Sequence, residues 1–94
     1  RKKVEKIQGV RYAGKQAFFQ RGKAWVSTQF DEKKPIIQVK PYSDAYFQLA
    51  ELSPEISKIL ALGAEVSFIH KGQMIQITEK GEEKLTEEQL KSLQ

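Results

Sequence analysis

The segment Val66-Ser67-Phe68-Ile69-His70-Lys71-Gly72-Gln73-Met74-Ile75-Gln76-Ile77 decides how this chain is read. Two apolar-rich runs flank Lys71-Gly72, and a two-residue loop there sets Val66 opposite Ile77, Phe68 opposite Ile75, Ile69 opposite Met74 and His70 opposite Gln73. Slipping that register by one residue would turn the apolar set to the other face, so the pairing is strongly specified.

Working backwards, residues 43–63 change from a strand period to a helical one. Ser43 is a natural cap, and Ala45, Leu49 and Leu52 recur at helical spacing. Ser53-Pro54-Glu55 restarts the helix, with serine as cap, proline at the first helical position and an acid in the first turn. Ile56, Ile59 and Leu60 form a buried stripe, and Gly63 is the expected stop.

The first half reads as β. Residues 4–12 alternate loosely up to a turn at Ala13-Gly14, and residues 16–20 and 23–27 flank Arg21-Gly22. If Arg21-Gly22 is the loop, Phe18 faces Trp25 and Ala17 faces Val26. Apolar residues on both faces predict a sheet covered at least partly on both sides. Pro35 opens a strand at Ile36–Val39.

Forward of the deciding hairpin, residues 79–94 are strongly charged. Thr86-Glu87-Glu88-Gln89 has the capping-box pattern ahead of Leu90 and Leu93, so this stretch is either a short C-terminal helix or a charged tail. The expectation is an α+β fold of small antiparallel hairpins, about five to six strands, around a central two-helix segment. Residues 1–78 make a single accessory module and 79–94 the tail or helix. Phe18, Trp25, Phe47, Leu60, Phe68 and Ile75 are the expected core.

Ninety-four residues fit one domain with a modest core. There is no cysteine, which excludes disulfides and thiolate chemistry, and no run is long enough to span a bilayer. The start at Arg1-Lys2-Lys3, without Met or an apolar signal core, reads as a piece of a longer chain.

Charge is uneven. Residues 1–47 hold 11 Lys and Arg against 4 Asp and Glu, whereas residues 48–94 hold 5 against 8. Such a basic half either recruits an acidic partner or solvates strand edges. Arg11, Lys15, Arg21 and Lys23, interleaved with Tyr12, Phe18, Phe19 and Trp25, are the candidate basic contact face. That mixture is what a β module uses to hold single-stranded nucleic acid, and equally what a small core needs.

The inventory for catalysis is thin. His70 is the only histidine and sits beside a turn, where exposure is expected; the pairs Asp31-Glu32 and Glu82-Glu83 are sequence neighbours in polar stretches. No metal-ligand spacing and no glycine-rich phosphate loop occurs. The expectation is a chain that is not an enzyme, with no cofactor and no metal.

Several segments taken together resemble a known family. They are Gly9-Val10 with Tyr12, residues 17–26 (AFFQRGKAWV), Val39-Lys40, residues 42–47 (YSDAYF), and residues 59–63 (ILALG). Across roughly residues 9–78 the chain is similar to a small domain near the C-terminus of bacterial proteins that carry a von Willebrand factor type A domain. An inter-alpha-trypsin-inhibitor-type domain often precedes that domain. Ser27 stands where the family often has an acid after Trp-Val, and the Asp-x-Ser-x-Ser metal-adhesion signature of the type A domain is absent here. The resemblance implies an accessory, protein-binding domain of an envelope-associated or secreted protein. Its partner would be a neighbouring domain of the same chain or another protein, with single-stranded nucleic acid as the alternative.

Overall fold

The computed structural model describes residues 10–94. Six strands form one sheet: β1 (Val10–Ala13), β2 (Gln16–Arg21), β3 (Ala24–Ser27), β4 (Ile36–Val39), β5 (Val66–His70) and β6 (Gln73–Ile77). Three helices complete the fold: α1 (Asp44–Leu52), α2 (Pro54–Leu60) and α3 (Glu87–Leu93). The α+β class is as expected. The portion of the first expected strand before Val10 lies outside the described residues.

The strand order is β1-β2-β3-β5-β6-β4. Three tight hairpins give the antiparallel pairs, and two pairings are parallel: β3 with β5 and β4 with β6. The chain leaves β3, crosses to the far edge as β4, and returns through α1 and α2 to insert β5 beside β3. β4 runs opposite to β3 and carries the chain back to the end where β3 began, and the two-helix segment then delivers β5 beside β3 in parallel.

The hairpin around Lys71-Gly72 has the expected register, with Phe68↔Ile75, Ile69↔Met74 and His70↔Gln73 in place. Both loop residues have positive φ, 51° and 79°, as a type I′ turn requires. The β2–β3 hairpin differs from expectation. Its loop is Gly22-Lys23, so Phe18 pairs with Ser27 and Gln20 with Trp25. Gly22 still supplies the positive φ (64°), now at the first loop position instead of the second. A slip of two residues keeps every side chain on its face, so Phe18 and Trp25 remain together on the apolar side.

That side carries the core. Phe18, Val39, Val66, Phe68, Ile75 and Ile77 meet Ala45, Leu49, Ile56, Ile59, Leu60 and Leu93 from the helices. The opposite face is shielded in part by the segment after β3, where the Asp31 N–H approaches Met74 Sδ at 3.2 Å. Of the six expected core residues, Phe18, Trp25, Leu60, Phe68 and Ile75 are buried, and Phe47 is not: it is 53% exposed. The helical period explains it. Ala45 and Leu49 lie one turn apart on the inner face of α1, and Phe47, midway between them, lies opposite.

Capping follows the sequence closely. The Ser43 hydroxyl accepts from Tyr46 N–H, and the Ser53 hydroxyl accepts from Glu55 N–H. Ser53, in extended conformation, ends α1 and starts α2. Gly63 is not the left-handed stop expected of it. α2 finishes at Leu60 with Ala61 as its cap, and Gly63 lies instead against the Trp25 ring, where a Cβ would stand 3.4 Å from Cδ1.

The stretch from residue 79 onward folds back. Gly81 abuts β4 so closely that a Cβ would collide with the main chain of Val39 and Lys40. Glu82 then exchanges main-chain bonds with Gln38 and Lys40, and the Glu83 carbonyl accepts from Ala45 N–H at the start of α1. Thr86 and Gln89 form the reciprocal capping box that begins α3, and Leu93 is fully buried.

Candidate functional site

Between β4 and α1 the chain reads Lys40-Pro41-Tyr42-Ser43-Asp44-Ala45-Tyr46-Phe47. Proline ends the strand, and Tyr42 takes a left-handed φ of 61°, a conformation uncommon for a bulky non-glycine residue. Ser43 then locks the start of α1: its hydroxyl donates to the Lys40 carbonyl at 2.7 Å while capping Tyr46 N–H. Because Ala45 and Leu49 take the inward positions, Phe47 projects toward solvent, while Tyr46 lies at the margin and packs partly against the core.

Three aromatic rings meet as a result. Tyr42 and Tyr46 lie 5.1 Å apart, tilted by 56°, and Tyr46 and Phe47 lie 5.3 Å apart, edge to face. These are attractive aromatic geometries, so the cluster holds itself in place. Its outer members stay open to solvent, Tyr42 at 66% and Phe47 at 53%. The middle ring is half-buried. Burial, and next the neighbouring Tyr42 phenol, raise the Tyr46 pKa above the ordinary tyrosine value.

Beside the cluster is a depression of about 320 Å³ lined by Lys40, Pro41, Tyr42, Ser43, Asp44, Glu83 and Lys84. Lys40 and Glu83 form an ion pair across it at 3.4 Å. The patch therefore joins exposed aromatic area to a polar rim of both signs. Sequence reading by residue type assigned Phe47 to the core and missed the cluster. The 45/49 stripe was the available signal, since it excludes position 47.

The candidate basic residues do not converge. Arg11 stands over the Trp25 ring, 5.0 Å from its centre, on the helix-covered side. Lys15, in the β1–β2 turn, pairs with Glu55 of α2 at 3.4 Å. Arg21 is on the opposite face, paired with Glu32 at 3.1 Å and stacked on Phe19 at 5.5 Å. Lys23 lies in the next turn. Among the aromatics interleaved with them, Phe18 and Trp25 are buried, Phe19 is half-buried, and Tyr12 is 79% exposed.

His70 is half-buried rather than exposed, because α3 packs over the end of β5 and brings the Leu93 carbonyl within 2.9 Å of Nε2. Asp31 accepts from Lys33 N–H in a local turn, and Glu32 and Glu83 are held in ion pairs. Among the described residues no three His, Asp or Glu side chains gather as a metal site, and no helix is long and apolar enough to cross a membrane.

No protein-family model, curated protein or solved structure matches the chain.

Proposed function

We propose that this chain is a non-catalytic accessory domain that binds a neighbouring domain of its own polypeptide through the Tyr42–Tyr46–Phe47 surface. The observation that carries this reading is the exposure of Tyr42 and Phe47 on either side of a ring they both contact. Tyr42 and Phe47 offer a partner the exposed half to two thirds of their surface, at little entropic cost because neighbouring rings already restrain them. The same residues carry much of the resemblance to the accessory domain of von Willebrand type A proteins, which supports a larger binding domain as the neighbour and an envelope or secreted setting.

A stability comparison tests the proposal. Phe47→Ser shifts the melting temperature of the isolated chain by no more than a few degrees and lowers that of a polypeptide carrying the neighbouring domain by clearly more. Equal effects in both contexts would contradict the reading.

Binding of single-stranded nucleic acid has less support. It needs several open rings beside converging cations, and the β1–β3 region offers Tyr12 with cations spread over two faces.

A further inference from the structure

A second surface lies at the opposite end of the sheet, where β1 is the edge strand. The hydrogen-bond phase of the β2–β3 ladder fixes which of its main-chain groups point outward. Thr28 N–H donates to the Ala17 carbonyl, so Ala17 and Phe19 bond toward β3, and Gln16 and Phe18 bond toward β1. Their partners Ala13 and Arg11 therefore bond inward, and Val10 and Tyr12 direct their N–H and C=O groups out of the sheet. Among the described residues no strand covers them.

Side chains and charge select the occupant. Val10 is 47% and Tyr12 79% exposed on the face away from the helices, and Arg11 lies on the other face. Arg11 is the cation on this edge strand, since Lys15 is paired with Glu55 and Arg21 with Glu32. We propose that the outer edge of β1 takes an added strand from a partner protein, an extended segment alternating apolar residues over Val10 and Tyr12 with carboxylates opposite Arg11. Strand addition of this kind draws affinity from main-chain bonds and specificity from the alternate side chains. The chain's own residues 1–9, with four basic residues and one acidic, lack the complementary charge.

The test is amide-resolved NMR of the 94-residue chain titrated with two synthetic peptides, one alternating valine with glutamate and one alternating valine with lysine. The expected result is a shift and exchange protection centred on Val10 and Tyr12 with the acidic peptide only. Tyr12→Pro, which removes one outward donor at an edge position, should abolish it. Arg11→Glu should weaken it about two- to fivefold per facing carboxylate. Equal response to both peptides, no response at Tyr12, or an Arg11→Glu variant that binds unchanged would overturn the proposal. Protection of Tyr12 without peptide would also overturn it: if concentration-dependent, a second copy fills the edge, and if abolished by deleting residues 1–9, the chain's own segment does.

Discussion

The side-chain amide of Gln16 bonds both main-chain groups of Ile69, donating to its carbonyl at 2.8 Å and accepting from its N–H at 3.3 Å. This joins β2 to β5 across the gap where β3 has ended. β3 meets β5 at only two positions, Trp25↔Val66 and Val26↔Ser67, and the glutamine amide continues the ladder as a stand-in for the next peptide group. One polar side chain thus lengthens the narrowest seam of the sheet beyond its two-residue ladder.

Gln16→Leu should therefore destabilise the chain by about 1–3 kcal/mol, because it strands two half-buried main-chain groups. Urea denaturation measures the loss, and exchange at the Ile69 amide should accelerate in the variant. Exchange unchanged at Ile69 would show that the bonds carry no weight.

Trp25 and Phe47 should behave as opposites. Trp25→Ala opens a cavity between Phe18, Gly63 and the helices and should cost on the order of 3–5 kcal/mol. Phe47→Ala, on the solvent side of α1, should change stability by no more than about 0.5 kcal/mol in the isolated chain. Thermal melts of both variants decide the assignment.

Gly81 tests whether residues 79–83 belong to the fold. Any Cβ there collides with the main chain of Val39 and Lys40, which cannot move without disturbing β4. Gly81→Ala should cost at least about 1–3 kcal/mol and raise exchange at the Lys40 and Ala45 amides, whose acceptors are the Glu82 and Glu83 carbonyls. Wild-type stability in this variant would mean that the segment is not packed as described.

Tyr46 gives a pH signature. Its pKa is raised, so folding favours the neutral phenol; the stabilisation is intact below the ordinary tyrosine range near about 10 and is lost as pH rises through the folded-state value. Stability should fall in that alkaline window, and Tyr46→Phe should flatten the fall. Absorbance of tyrosinate alongside circular dichroism would report both.

Sequence alone carried much of this architecture, for local reasons. Lys71-Gly72 fixed the last hairpin because two apolar runs admit one pairing, and Ser43, Ser53-Pro54 and Thr86 marked helix starts by capping chemistry. The first hairpin was legible in facing but not in register, because Gly22 serves either loop position and a two-residue slip preserves the apolar face. The β3–β5 and β4–β6 parallel pairings were not legible, since nothing local in Ala24–Ser27 or Ile36–Val39 specifies a strand distant in sequence. The aromatic cluster was hidden because Phe47 was judged by its residue type and not by its place between Ala45 and Leu49.

The most direct test of the central claim is side-chain oxidative footprinting of Tyr42 and Phe47, in the isolated chain and with the neighbouring domain that the proposal assigns to its polypeptide. The account predicts strong labelling of both residues in isolation and a several-fold drop with that domain present, with Tyr12 unaffected by that contact. Equal labelling of Tyr42 and Phe47 in both forms would contradict it.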